Sequence, residues 1–203
     1  MKKNTHSSDA IIEYLDEHII CLNELKNQKT IIYDIFKKIK KCANTNNRIF
    51  LIGNGGSAST ASHFMCDLSN SVKLKKQKKI RAISLNDNVS KMLAVANDFG
   101  FEHIFENQLK EDMEKGDILI AISTSGNSKN ILKAVKYANS IGGITIGLTG
   151  SKGKSLTKIC NISIKVPTDK VYQIEDIHLV LNHIITFLFM GYSYQGSKNK
   201  KWY

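Results

Sequence analysis

Short apolar runs alternate with helix-like segments along most of this chain. Five apolar runs predict β-strands, at 48–52, 80–84, 117–122, 143–148 and 161–165. Apolar residues at helical spacing predict helices between and after them, at 57–68, 88–97, 104–113, 128–139 and 171–190. Strands separated by helices of this length form βαβ units, so we predict a parallel sheet with helices on both faces.

The first 45 residues show no strand pattern. Apolar residues recur at helical spacings from Ser8 to Cys42 and predict two helices with a break near Asn27. These helices carry more apolar surface than one small domain needs, which indicates an oligomer interface. We therefore expect one domain, 1–203, with oligomerisation helices at 1–45, an α/β core at 46–190 and a loose basic tail at 191–203.

Charge raises the question of a nucleic-acid partner. Of the 203 residues, 42% are hydrophobic, and 29 Lys and Arg against 18 Asp and Glu give a formal charge of +11. The basic residues lie in short clusters without a zinc-finger spacing or an RNP-type aromatic motif. We therefore expect solvated surfaces that also steer anionic substrates, and no nucleic-acid partner.

The cysteines and the longest apolar stretch indicate where in the cell the protein acts. No CxxC pair occurs among the cysteines, which are Cys21, Cys42, Cys66 and Cys160. Residues 1–28 lack the continuous apolar segment of a secretory signal. The apolar stretch at 177–190 is too short to cross a bilayer and predicts a buried helix. These observations predict a reduced, cytoplasmic protein without a membrane partner.

Three loops follow predicted strands, at the edge where parallel sheets bind ligands, and they read GNGGSAS, LNDN and STSGNS. In the first, Gly53, Gly55 and Ala58 match the spacing of a dinucleotide-binding turn, and the start of the following helix favours an anion. A dinucleotide site also needs an acidic residue at the end of the next strand, and Asp87 lies too far along. The sequence therefore disfavours a dinucleotide enzyme.

The third loop is more specific. Ser123, Thr124 and Ser125 supply three consecutive hydroxyls after an apolar strand, and Ser128 supplies another before a helix. Side-chain and backbone donors in this arrangement suit a phosphate monoester. Two donor loops at strand ends predict one small phosphorylated ligand.

In combination, GNGGSAS, ANDFGF, STSGNS and EDIHLVLNH resemble the SIS (sugar isomerase) domain family and, within it, the phosphoheptose isomerases. The resemblance implies an α/β, flavodoxin-like, three-layer sandwich with a five-stranded parallel sheet plus N-terminal helices. It implies a homotetramer with sites between subunits. It also implies a ketose–aldose isomerase that converts sedoheptulose 7-phosphate to D-glycero-D-manno-heptose 7-phosphate, for nucleotide-activated heptose and surface polysaccharide.

The resemblance further implies which residues bind the substrate. Those of the first loop would meet the sugar, those of ANDFGF its hydroxyls, and those of STSGNS its phosphate. The residues are Asn54, Gly55, Gly56, Ser57, Asn97, Asp98, Ser123, Thr124, Ser125 and Ser128.

Isomerisation of this kind moves a proton between adjacent carbons through an enediol, and a carboxylate with a histidine suits that task. His63 and Asp67 are four residues apart, and Glu175 and His183 eight apart on the last helix, so each pair can share a helix face. In the family that the chain resembles, the position of Asp67 is commonly Glu and that of Glu175 commonly Gln, and with the two histidines they can bind zinc. The candidate zinc ligands are thus His63, Asp67, Glu175 and His183. Asp67, Glu175 and His183 are the candidate catalytic residues, and the sequence leaves open whether Asp67 or Glu175 is the base.

Two other interpretations stay open. The donor loops do not determine the number of carbon atoms in the sugar, so the protein could isomerise another sugar phosphate. Some SIS proteins instead associate with the replication initiator DnaA, and the departures at Asp67 and Glu175 leave room for such a non-catalytic role. We favour the enzyme, because a purely structural partner has no need of histidines and carboxylates near the phosphate loops.

Overall fold

Strands and helices alternate along the chain in the computed structural model, which describes residues 8–45, 47–71 and 79–191. The strands in these ranges are β1 (Arg48–Ile52), β2 (Arg81–Ser84), β3 (Ile118–Ser123), β4 (Ile144–Gly150) and β5 (Ile162–Val166). The helices are α1 (Ser8–Lys26), α2 (Lys29–Thr45), α3 (Gly56–Ser71), α4 (Val89–Phe99), α5 (Glu106–Asp112), α6 (Lys129–Ser140), α7 (Lys154–Ile159) and α8 (Val171–Met190).

The sheet is parallel, with the strand order β2-β1-β3-β4-β5. Ile52 of β1 lies opposite Ala121 of β3, and Ser123 of β3 lies opposite Thr149 of β4. The strand order reverses between β1 and β3, so the carboxyl ends of these two strands flank the crevice where such sheets bind ligands. The predicted five-stranded parallel sheet is confirmed.

Helices cover both faces of the sheet, as predicted. Successive side chains of a strand point to opposite faces. Ile49 and Leu51 join the core formed with α2, α3 and α8, whereas Phe50 and Ile52 join the core formed with α4, α5 and α6. All four side chains are fully buried. Burial on both faces explains why this strand is a continuous apolar run in the sequence.

Helix α1 buries little of its apolar surface. Cys21 and Leu25 are its buried residues. Nearer the start of the helix, Tyr14 and His18 contact Asp176 of α8, with hydrogen bonds of 2.6 and 2.9 Å. The exposed apolar side chains of α1 are Ile11, Ile12, Leu15, Ile19, Ile20 and Leu22, called the α1 apolar surface below. The predicted break near Asn27 lies between α1 and α2 and is confirmed.

Three details depart from the sequence analysis or lie outside the structure. Helix α7 was not predicted, because its six residues are too few to show a helical period. Helix α5 is shorter than the predicted 104–113, since the chain forms a 3₁₀ turn at Phe101–His103 before it. Residues 192–203 of the expected tail lie outside the described residues.

The apolar stretch near the C-terminus belongs to α8, which packs in the domain core. No helix within the described ranges is long and apolar enough to cross a membrane.

Candidate active site

The loop after β1 is held in a tight turn. A Cβ atom at Gly53 would lie 2.3 Å from the carbonyl oxygen of Ser57, so the turn into α3 requires glycine at this position. Asn86, which follows β2, accepts a hydrogen bond from the Gly53 N–H at 3.2 Å and donates one to the Gly53 carbonyl at 2.7 Å. These contacts fix the start of α3, where unpaired amides favour an anion.

The side chain of Asp87 is hydrogen-bonded to helix α3. It lies three residues beyond the end of β2 at Ser84, and its Oδ1 accepts a hydrogen bond from Ser62 of α3. The carboxylate that a dinucleotide site would need is therefore engaged in fixing the loop after β2 to α3. This arrangement supports the prediction that the protein is not a dinucleotide-binding enzyme.

The loop after β3 is braced from two sides. Ser123 is buried, and its Oγ accepts a hydrogen bond from the Gly126 N–H at 3.1 Å. Gly126 has a φ of +63°, and a Cβ atom there would lie 2.6 Å from the Cα of Gly153 in the loop after β4. The Gly126 carbonyl accepts from the Leu156 N–H of α7 at 3.0 Å. The unpredicted helix α7 therefore supports the predicted phosphate loop.

The other hydroxyls of this loop are accessible to a ligand to different degrees. Ser125 is exposed and Thr124 is partly buried. Ser128 is the N-cap residue of α6 but makes no side-chain capping bond. A phosphate oxygen can therefore replace the usual capping contact at the start of α6, where the helix dipole favours an anion.

A pair of amides joins the two donor loops. Asn54 Nδ2 donates to Asn130 Oδ1 at 3.0 Å, and Asn130 Nδ2 donates to Asn54 Oδ1 at 2.8 Å. Asn130 lies on α6 and is only 2% exposed. Asn130 was not among the predicted site residues, because a single asparagine within a helical pattern carries no motif. Its contact with Asn54 fixes the separation of the GNGGSAS and STSGNS loops.

Three of the four predicted metal ligands come together. Asp67 Oδ2 lies 3.4 Å from His63 Nε2 and 3.7 Å from His183 Nε2, and the ligand atoms of all three residues lie within 4.8 Å of one another. Asn182 of α8 donates to the same Asp67 oxygen at 3.2 Å. Asn182 is fully buried and fixes Asp67 from the core side, a role that no sequence motif indicated.

Glu175 belongs to α8, and its side chain reaches the start of α3, apart from this cluster. A Cβ atom at Gly56 would lie 2.5 Å from either carboxylate oxygen of Glu175, so the carboxylate packs directly against Gly56. Negative charge at a helix N-terminus is favourable. Glu175 therefore sits beside the predicted sugar-binding loop GNGGSAS. His63 and Asp67 lie about two and three turns farther along α3, and His183 lies opposite them on α8.

The predicted hydroxyl-binding pair lies on α4. Asn97 and Asp98 are exposed, and Asn97 Nδ2 donates to Asp98 Oδ1 at 2.9 Å. Within the described ranges, no hydrogen bond or ion pair joins either residue to the two donor loops. The structure therefore does not bring this pair together with the other predicted site residues.

His178 lies on the buried side of α8. It is fully buried, and neither ring nitrogen has a well-formed hydrogen bond to another described residue. Burial lowers its pKa to about 4, and a weak interaction with the backbone of Thr149 offsets this only in part. His178 is thus neutral at physiological pH and separate from the histidines of the cluster.

Comparisons with known proteins identify the family to which the chain belongs. Residues 13–150 match the family model of the SIS domain. The chain is 38% identical to the phosphoheptose isomerase of Nitratiruptor sp. over 170 residues, which are 84% of this chain and 81% of that protein.

Two solved structures are similar over nearly their whole length. The phosphoheptose isomerase of Francisella tularensis has a TM-score of 0.84 at 31% identity, covering 92% of this chain and 99% of that one. The phosphoheptose isomerase GmhA of Neisseria gonorrhoeae has a TM-score of 0.84 at 27% identity, covering 91% and 98%. The chain therefore belongs to the SIS domain family, among relatives that are phosphoheptose isomerases.

Proposed function

We propose that the protein is a cytoplasmic phosphoheptose isomerase that converts sedoheptulose 7-phosphate to D-glycero-D-manno-heptose 7-phosphate, for nucleotide-activated heptose and surface polysaccharide. The observation that carries this proposal is the placement of Asp67 between His63 and His183, on the helix that starts in the sugar loop. From Gly56 to His63 this helix rises about 10 Å. An extended sugar phosphate is of comparable length, so one ligand can contact both the start of α3 at Gly56 and His63.

Asp67 is the carboxylate that we assign to proton transfer. The family that the chain resembles commonly has Glu at this position, which keeps a carboxylate, but Gln at the position of Glu175. An amide cannot accept a proton at neutral pH, so a base common to this chain and its relatives belongs at Asp67. Asp67 takes the proton from the carbon next to the carbonyl and returns it to the neighbouring carbon, and His183 moves protons between the two oxygens.

Glu175 and the two loops position the substrate in this scheme. Asn54, Gly55, Gly56 and Ser57 meet the substrate beside Glu175, and the hydroxyls of the STSGNS loop bind the phosphate. Holding the substrate at these two loops limits its orientations while the carbons far from the phosphate extend along α3 toward Asp67, and such positioning is a large part of catalysis.

The chemistry of the cluster fits zinc. Two imidazoles and one carboxylate are a usual donor set for this ion, and ligands at about 2.0–2.1 Å in a tetrahedron lie roughly 3.4 Å apart. The separations of 3.4 and 3.7 Å from Asp67 Oδ2 are close to that value. His63, Asp67 and His183 would hold the ion, whereas Glu175, the fourth ligand implied by the family resemblance, lies against Gly56 and apart from these three residues. A bound zinc ion would polarise the substrate carbonyl.

The proposal predicts conversion of sedoheptulose 7-phosphate to the aldose by the pure protein, measured by chromatography with and without added zinc. Asp67→Asn should lower kcat by about 10²–10⁴-fold, because it removes the base. Glu175→Gln should keep kcat within about tenfold, since it restores the common residue of the family.

The same pair of variants distinguishes the two carboxylates. Loss of turnover in Glu175→Gln with activity retained in Asp67→Asn would make Glu175 the base. Absence of any aldose product from the unaltered protein, with or without zinc, would refute the substrate assignment.

The α1 apolar surface supports a homotetramer as the active form. Ile12 and Ile19 are 58% and 54% exposed, and a contiguous apolar surface of this kind marks an interaction site. Phe99, next to Asn97 and Asp98 on α4, is also exposed at 63%. We infer that association of copies through such surfaces completes the site and brings Asn97 and Asp98 to the substrate of one subunit or another.

A further inference from the structure

A recess of about 220 Å³ opens between the STSGNS loop and the start of α8. Thr124 and Ser125 of the phosphate loop line one side of it. Lys152, from the loop after β4, and Asp169, which precedes α8, line the other. The recess also reaches Ile174, the neighbour of Glu175. It therefore connects the predicted phosphate-binding hydroxyls with the helix that carries part of the candidate active site.

The charges in this recess are unbalanced for a phosphate monoester. Such a group carries a charge of about −1.5 to −2 at neutral pH. The hydroxyls of Thr124 and Ser125 are neutral donors, and Asp169 adds a negative charge. Among the residues that line the recess, Lys152 is the cation, and charge-assisted hydrogen bonds are roughly twice as strong as neutral ones.

Lys152 forms an ion pair with Asp169. Its Nζ lies 2.5 Å from Asp169 Oδ2, and this contact lowers the pKa of the Asp169 carboxyl. Both side chains are exposed, so the pair is weak and its partners are free to exchange. Asp169 thus keeps the ammonium group at the recess without binding it tightly.

The backbone beneath Lys152 is fixed to the phosphate loop. The Gly150 N–H donates to the Thr124 carbonyl at 3.0 Å, and the Leu156 N–H donates to the Gly126 carbonyl at 3.0 Å. These two bonds lie on either side of Lys152 in the sequence. The lysine therefore originates at a constant position relative to the STSGNS hydroxyls, and only its flexible side chain has to move.

We propose that Lys152 is a further phosphate-binding residue of this protein, which leaves Asp169 and pairs with the substrate phosphate when the sugar binds. Asp169 competes with the phosphate for the same ammonium group and so limits affinity for anions. This inference rests on the proposed function for the identity of the substrate, but the recess and its charges do not depend on the isomerisation.

The test compares Lys152→Gln with the unaltered protein. KM for sedoheptulose 7-phosphate and Ki for inorganic phosphate should both rise about tenfold, with kcat changed by less than about twofold, because the lysine contacts the phosphate and not the reacting carbons. Lys152→Arg should retain most of the affinity. Asp169→Asn should lower Ki for inorganic phosphate, since it frees the ammonium group. Lys154→Gln is the matched control, because Lys154 is exposed at the start of α7, two residues from Lys152, and does not line the recess.

Unchanged KM and Ki in Lys152→Gln would overturn the inference, and so would an equal rise in Lys154→Gln, which would indicate a general effect of net charge. Calorimetric binding of inorganic phosphate separates this inference from the proposed function. If the unaltered protein does not isomerise sedoheptulose 7-phosphate but binds phosphate with a dependence on Lys152, the proposed function fails and the inference stands.

Discussion

At the scale of single residues, His178 has the most unusual environment in the described core. Its two ring nitrogens are buried without well-formed hydrogen bonds, and an unsatisfied buried polar group costs about 1–3 kcal/mol. The surrounding core favours the neutral imidazole and lowers the pKa to about 4. Stability must therefore depend on pH through this residue.

The sign of the dependence follows from the two pKa values. The unfolded chain binds a proton to His178 near its ordinary pKa of 6.5, whereas the folded protein does so near 4. As the pH falls through this range the unfolded state gains protons first, so we expect a loss of stability on the order of 3 kcal/mol between pH 6.5 and 4. Urea unfolding of the unaltered protein and of His178→Leu at pH 7 and pH 4.5 measures it.

His178→Leu should be at least as stable at pH 7, because it removes two unsatisfied polar atoms, and its stability should fall less toward pH 4.5. Both proteins retain every other histidine, so the difference between their pH profiles isolates His178. Parallel profiles would show that His178 does not titrate in this range.

Residue types in the site were predictable from sequence where a motif contained them. The hydroxyls of STSGNS and the four-residue spacing of His63 and Asp67 are local patterns. The contacts of Asn130 and of Asn182, which lies within EDIHLVLNH, were not predictable, because their partners Asn54 and Asp67 are distant in sequence and the contacts exist only after the sheet and helices have packed.

At the scale of elements, the turn from β1 into α3 contains two glycine positions, three residues apart, at which we expect different effects of substitution on stability and on substrate binding. Gly53 and Gly56 both lack room for a Cβ atom, but for different reasons. At Gly53 the obstacle is the backbone carbonyl of Ser57, which the helix fixes. At Gly56 the obstacle is the end of the Glu175 side chain, which can rotate away.

We therefore predict opposite effects of two alanine substitutions. Gly53→Ala should destabilise the protein by about 1–3 kcal/mol, as overpacking does, because the first turn of α3 must shift. Gly56→Ala should leave the unfolding midpoint nearly unchanged but raise KM for the sugar phosphate by roughly tenfold, because it displaces Glu175 and crowds the sugar loop. Thermal unfolding and steady-state kinetics on both variants measure these effects. Equal destabilisation of the two would contradict the distinction.

Helices longer than about two turns could be predicted from the sequence, because their helical period is long enough to detect. Buried strands could be predicted because each forms a recognisable apolar run. Strands β1, β3 and β4, in which nearly all residues are buried, are examples. Helix α7 could not be predicted, since Leu156 is its one buried residue and a single apolar position shows no helical period. Its position under Gly126 became clear only from the packing of the loop after β4 against the loop after β3.

At the scale of the whole molecule, the α1 apolar surface determines the expected assembly. A charged side chain in place of a buried apolar one in an interface costs several kcal/mol, whereas on an exposed surface it costs little. Ile12 and Ile19 are more than half exposed in the single chain. Ile12→Asp with Ile19→Asp should therefore leave the fold of each subunit intact and dissociate the proposed tetramer, as measured by sedimentation velocity.

Lys38→Glu provides the matched control, because it changes the net charge by the same two units at an exposed polar position of α2. The control should sediment like the unaltered protein. If sites lie between subunits, the double variant should also lose most of its turnover while its circular dichroism and unfolding midpoint show a folded chain. A double variant that stays tetrameric would place the interface away from α1, and a dissociated variant with full activity would show that one subunit contains a complete site.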